Sequence, residues 1–285
     1  MEEKILQGKK NGMLVLVITT LLYIAAGIGL VFGILADSIV FLVVTIVWLA
    51  IGWIPWLGLK VLKPQEALVL TLFGKYYGTL KDDGFYFVNP FCVGVNPAAQ
   101  TKLNQSGDVN SHKKSAFNLT LGSGADAAAQ SSEMTSKKIS MKIMTLNNNK
   151  QKINDCLGNP VEIGIAVMWR VTNTAKAVFN VDNYKEYLSL QCDSALRNIV
   201  RIYPYDVAPG VDTTGDGIAD EGSLRGSSEV VAQRIKNEIQ SKVSEAGLEI
   251  IEARITYLAY APEIAAVMLQ RQQASAVVDA RAMIV

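Results

Sequence analysis

The residues best suited to chemistry by type and spacing lie in the stretch DTTGDGIADEGS. There Asp212, Asp216, Gly217 and Asp220 fall at positions one, five, six and nine of a calcium-loop pattern. Position three is Thr214 and position twelve is Ser223, so the bidentate glutamate that closes such a loop is missing. The stretch reads as a solvated turn, and Asp212, Asp216 and Asp220 are the only metal candidates. Nucleophilic catalysis fares no better. The single histidine, His112, sits in a low-complexity stretch where nothing rigid can hold it about 3 Å from a nucleophile. Cys92, Cys156 and Cys192 stand far apart without a C-x-x-C, which argues against a zinc site or disulfide framework and for buried or reduced thiols. The GSG at 122–124 lacks the G-K-[ST] of a phosphate cradle. Glu249, Glu252 and Arg254 alternate along a strand-like segment and read as a solvated sheet face. No catalytic residue and no cofactor is expected, and the chain does not read as an enzyme.

The elements around these residues point elsewhere. Half of the 285 residues are hydrophobic, and the apolar excess is concentrated before Lys60. The formal net charge is +1 and no Lys or Arg run forms a phosphate-binding stripe, so nucleic acid is not an expected partner. Residues 13–35 are uncharged and, at about 1.5 Å per residue, reach about 34 Å, enough for a hydrocarbon layer of about 30 Å. Residues 39–59 supply a second such run, and only Ala36, Asp37 and Ser38 separate the two. So short a link forces an antiparallel hairpin.

Lys4, Lys9 and Lys10 precede the first run and Lys60 and Lys63 follow the second, whereas the link carries only an acid. Both ends are therefore expected on the cytoplasmic side. Trp48, Trp53 and Trp56 suit the membrane interface, and Pro55 is expected to end the second helix near Ile54–Trp56; a hairpin confined to one leaflet is the other version of this reading. Gly29 and Gly33 form a G-x-x-x-G that lets helices approach closely.

Beyond Lys63 the pattern is mixed. ALVLTLF at 67–73 reads as a strand ending at Gly74, and DDG at 82–84 precedes another at FYFV. Residues 104–138 are rich in Ser, Gly, Ala, Asn and Gln and read as a mobile insertion. In PVEIGIAVMWRV, Val161, Ile163, Ile165, Val167, Trp169 and Val171 share one face. Asn183 with Glu186 forms a capping box, opening a helix whose stripe is Leu188, Cys192, Ala195, Ile199 and Ile202 and which Pro204 ends. A second helix carries Val231, Ile235, Ile239 and Val243, with Gly247 as its C-cap. LEIIEARITYLAY is a further half-buried strand, and strands with packed helices make an α+β domain. Pro262 opens a last helix with no internal stop signal through Val285 and only a narrow, partly polar stripe, the pattern of a helix that needs copies of itself as neighbours.

Three stretches in order resemble the SPFH or band-7 family, which includes stomatins, prohibitins, flotillins and bacterial regulators of a membrane protease. They are VLKPQEALVLTLFGKYYGTLKDDGFYFVNPF, GNPVEIGIAVMWRVTNTAKAVFNVDNYKEYLSLQCDSALRNIVRIYPYD, and GLEIIEARITYLAYAPEIAAVMLQRQQASAVVDARAMIV. The resemblance implies a cytoplasmic segment at 1–12, a transmembrane hairpin at 13–62, an SPFH domain at 63–261 interrupted by 104–138, and the start of a long assembly helix at 262–285 that continues past Val285. It further implies a non-enzymatic scaffold in the cell (inner) membrane, domain on the cytoplasmic side, that assembles as a ring or cage of itself or of alternating subunits. Such an assembly would organise membrane lipids and regulate a membrane protease or other integral proteins. Gly29, Gly33, Trp48, Trp53, Trp56, Lys60 and Lys63 are the expected anchor residues, and 63–90 the membrane-facing contact. Ile264, Met268, Arg271, Ala274, Val278 and Arg281 are the expected assembly residues. The competing expectation is a monomeric or dimeric cytoplasmic-face module that modulates a channel or membrane enzyme.

Overall fold

Two apolar helices come first. Helix α1 covers Gly12–Leu35 and α2 covers Ile39–Ile51, followed by a single turn, α3, at Ile54–Leu57. Helix α2 is rich in Val and Ile, poor helix formers in water, but in apolar surroundings the backbone has no partner other than itself. The break falls earlier than the sequence suggested. Pro55 has no N–H to give the Ile51 carbonyl and its ring crowds that oxygen, so α2 stops at Ile51 and the chain restarts one turn later. The expected second span of 39–59 also ends early, because Leu59 already belongs to a strand.

This computed structural model describes residues 2–6, 10–35, 38–101, 103, 137–148, 150–206 and 222–282. Asp37, almost all of the 104–138 insertion, the calcium-like stretch at 212–220 and the last three residues lie outside them. The fold is α+β, and the chain divides into two compact units.

The first unit draws on Met1–Gln100, Ser115–Lys142 and Val171–Asp182. Besides the apolar helices it contains β1 (Leu59–Leu62), β2 (Glu66–Leu72), β3 (Lys75–Leu80), β4 (Gly84–Phe87), β5 (Cys92–Gly94), β6 (Ile139–Ser140) and α4 (Thr174–Phe179). Strands β1 and β4 form an antiparallel pair, while β2 is the hub for β3, β5 and β6. Leu62, Leu68, Leu70, Leu80, Tyr86 and Cys92 fill the core between them. Helix α4 has no counterpart in the sequence reading, because six residues are too few to show a period. Its signal is local: the Asn173 side chain accepts from the Lys176 N–H at 2.9 Å.

The second unit includes Ile143–Arg170 and Asn183–Val285. Its sheet runs β10 (Leu248–Tyr260), β9 (Pro160–Val171), β7 (Met144–Asn147), with β8 (Gln151–Asn154) also paired to β9. Val161, Ile163, Ile165, Val167 and Trp169 along β9 are fully buried, each removal of such a side chain from water being worth roughly 1.5–3 kcal/mol. Helix α6 (Ser228–Val243) lays Val231, Ile235, Ile239 and Val243 against β10, and α5 (Tyr184–Val200) packs on α6. Gly247, in the left-handed conformation at φ 67°, closes a short turn after α6.

Helix α5 ends at Val200 rather than running to Pro204. Pro204 disfavours helix at Tyr203, so the chain leaves α5 in a tighter turn; Tyr203 enters the core and Ile202, expected inside, is exposed. Helix α7 (Pro262–Ala282) leaves the sheet where the Ala261 N–H donates to the Pro160 carbonyl at 2.9 Å.

Candidate membrane interface and assembly surface

No group of three or more His, Cys, Asp or Glu side chains that could hold a metal occurs among the described residues, and His112, Asp212, Asp216 and Asp220 fall outside them. Cys92 and Cys192 are buried and Cys156 is exposed. Burial raises the Cys92 thiol pKa, opposed by the nearby Lys60 ammonium, and pushes Cys192 far up with help from Asp193. An open polar cavity is lined by Lys152, Asn154, Asp155, Cys156, Gly158 and Arg201. Its acid is already committed: the Asp155 carboxylate accepts from the backbone N–H groups of Leu157, Asn159 and Tyr205. Lys152 in turn reaches Glu263 at 2.6 Å, an ion pair that lowers the Glu263 carboxyl pKa. That cavity is a braced turn with no free acid–base pair.

Helix α1 and the run Ile39–Leu57, which takes in α2 and α3, are long and apolar enough to cross a membrane, by length and composition. They pack against each other along small residues. A β-carbon on Gly29 would sit 3.1 Å from the Thr45 methyl, and one on Gly33 would sit 3.4 Å from the Phe41 ring. Gly27, by contrast, faces open space. Tyr23, unremarked in the sequence, donates its hydroxyl to the Leu49 carbonyl at 2.6 Å, and its ring lies 5.4 Å from that of Trp56. Trp56 donates to the Thr19 hydroxyl at 2.8 Å. Trp48 and Trp53 stay exposed, with Trp53 bonded to its own helix at the Ala50 carbonyl. Lys60 is half-buried opposite Tyr86 on β1–β4, and Lys63 is exposed at the following turn.

A second surface lies at the tip of the β2–β3 hairpin. Phe73 and Gly74 are the two residues of its turn, with φ of 48° and 81°, the left-handed pair that a tight hairpin demands and that Asn-Gly usually supplies. Phenylalanine pays a steric penalty there and gains no burial, since Phe73 is 85% exposed. It stacks on Phe91, itself exposed beside Val93. Phe91 follows closely on the point where the chain touches the end of the apolar helices: the Val88 N–H donates to the Gly58 carbonyl just after α3, and the Cys92 N–H donates back to the Asn89 carbonyl. The strand alternation at 67–73 had put Phe73 in line with Ala67 and Val69; the turn takes it out of the strand.

The assembly candidates lie along α7. Ile264 and Met268 are half-buried, whereas Arg271, Ala274, Val278 and Arg281 are exposed. Val267, Leu269 and Val277 are also exposed, so apolar side chains project from more than one face of α7.

The chain matches none of the curated proteins with which it was compared. The model of the SPFH domain / Band 7 family matches residues 60–283, from the first strand after the apolar helices through the end of α7. A match over that much of the chain, on a mixed α+β fold and next to two apolar helical runs of membrane-spanning length, means that the chain belongs to the SPFH domain / Band 7 family.

Proposed function

We propose that the protein is an oligomeric membrane scaffold: the helical hairpin anchors it, α7 joins copies into a ring or cage, and the enclosed bilayer patch admits or excludes other integral proteins. Band 7 proteins are membrane-associated, and the family is generally non-enzymatic. The observation that carries the reading is α7 itself. Its 21 residues leave Val267, Leu269, Val277 and Val278 exposed among the described residues. Confinement by identical subunits needs no reacting residue.

Within this reading the domain sits on the cytoplasmic face of the cell (inner) membrane and the Phe73–Phe91 tip dips into the interfacial layer beside α3. A strained, exposed aromatic stacked on a second exposed aromatic gains its burial from lipid. A membrane protease, or another integral protein, is the regulated partner.

The test is the mass and shape of the detergent-extracted protein by light scattering and electron microscopy. A closed particle of many subunits is the expected result. A stable monomer or dimer would sink the scaffold and leave a cytoplasmic-face module instead.

A further inference from the structure

Residues 3–6, ahead of the first helix, are built into the domain that follows the second. Ile5 bridges in parallel to Thr79 on β3; the Leu6 N–H donates to the Thr79 carbonyl and the Thr79 N–H to the Lys4 carbonyl, both at 2.9 Å. The Lys4 N–H reaches the Tyr76 hydroxyl at 3.2 Å. Leu6 packs on the core of Leu62, Leu68, Leu70 and Leu80, and it can do so because position 78 is glycine: a β-carbon there would lie 2.6 Å from the Leu6 side chain.

The polar half of the contact is more selective. The Glu3 carboxylate, its side chain 9% exposed, accepts from the Lys81 ammonium at 2.6 Å and from both the backbone N–H and the hydroxyl of Thr174. Thr174 and Thr79 are themselves fully buried, and the Lys81 ammonium is fixed from a second direction by the Thr172 carbonyl at 3.1 Å. A carboxylate withdrawn from water to this degree persists only where donors of this kind wait for it. An unstructured leader would have no reason to bury its charge.

We infer that the edge of β3, together with Lys81 and Thr174, is a strand-addition site for an extended segment bearing a carboxylate three residues before an apolar side chain, and that the chain's own residues 3–6 are its ligand. Because only residues 7–11 separate them in the chain from α1, docking holds the start of the hairpin and the domain on one face of the membrane. The topological half of this inference rests on the anchored reading; the docking half does not.

Amide hydrogen exchange of the whole protein in mild detergent tests the docking. In the wild type, the amides of Leu6 and Thr79 should be protected. Glu3→Ala and the isosteric Glu3→Gln should each speed exchange at both by about tenfold or more, the scale set by losing charge-assisted hydrogen bonds. Strand β9, in the other unit, should keep its protection in both variants. Thr174→Val, which removes the hydroxyl alone, should act in the same direction but less strongly. Exchange of the Leu6 amide at the rate of an unstructured peptide in the wild type would overturn the proposal, as would Glu3→Gln leaving both amides unchanged. In sealed vesicles, a membrane-impermeant maleimide should label Lys4→Cys and the native Cys156 from the same side. Labelling from opposite sides would overturn it too. Particle mass is a separate readout, so the strand addition and the scaffold can fail independently.

Discussion

Asn183 shows how much one side chain can organise. Its carbonyl oxygen accepts from the N–H groups of Lys185 and Glu186 at the start of α5, and its amide donates to the Thr101 hydroxyl at 2.6 Å. Asn183→Ala should cost about 1 kcal/mol of stability, the usual worth of an N-cap, read as a shift in the urea midpoint with unchanged slope. The thiols make a second prediction. Burial, and then Asp193, hold the Cys192 pKa far above its ordinary value, so in the folded protein it stays protonated and inaccessible. A water-soluble maleimide should therefore modify Cys156 in the native state and Cys192 only on unfolding. The sign of the pH effect follows. The unfolded thiol begins to ionise near about pH 8.5 while the folded one does not, so the folded state loses stability as pH climbs above that value. A Cys192→Ala variant with the same alkaline loss would refute the assignment of that loss to Cys192.

Whole helices and strands were legible in the sequence where one period was strong and the partner local. The inward face of β9, the stripe of α6, the Asn183 cap and the opening of α7 at Pro262 all follow from spacing. What escaped depended on distant partners. Ile5 and Leu6 carry no strand signal of their own, and only the shape of Gly78 and the charge of Lys81 make them part of a sheet. Tyr23 looks like one more apolar residue until Leu49 and Trp56 come alongside. Phe73 continues the alternation of β2 on paper, but the hairpin needs two left-handed residues at that point and takes it out of the strand. The hairpin of α1 and α2 can be tested by two neighbouring glycines. Gly29→Leu should lower the thermal midpoint in detergent, at the cost of roughly 1–3 kcal/mol typical of overpacking, because Thr45 blocks the new side chain. Gly27→Leu, facing open space, should leave the midpoint nearly unchanged. Equal effects from both would mean that α1 and α2 do not pack along this line.

For the assembled protein, the deciding question is whether surfaces that cost stability in the single chain are used by something outside it. Phe73 is informative because its two roles carry opposite signs. Phe73→Asn places a residue suited to the left-handed turn, so the isolated fold should gain stability while contact with lipid is lost; a polarity-sensitive dye on Phe73→Cys, in a Cys156→Ser background, should report an apolar surrounding in nanodiscs. A dye that reports water there would remove the tip from the membrane contact. Helix α7 poses the same question for protein neighbours. Ala274 and Val278 lie four residues apart, hence on one face, and both are exposed. In the lone chain Ala274→Glu with Val278→Asp alters only a solvated surface and should change folding by no more than about 0.5 kcal/mol. Between copies, the same two carboxylates would be desolvated against a neighbouring helix, and assembly should collapse to small particles with the hairpin still membrane-inserted. A double variant that keeps the particle mass of the parent would show that α7 joins nothing through this face.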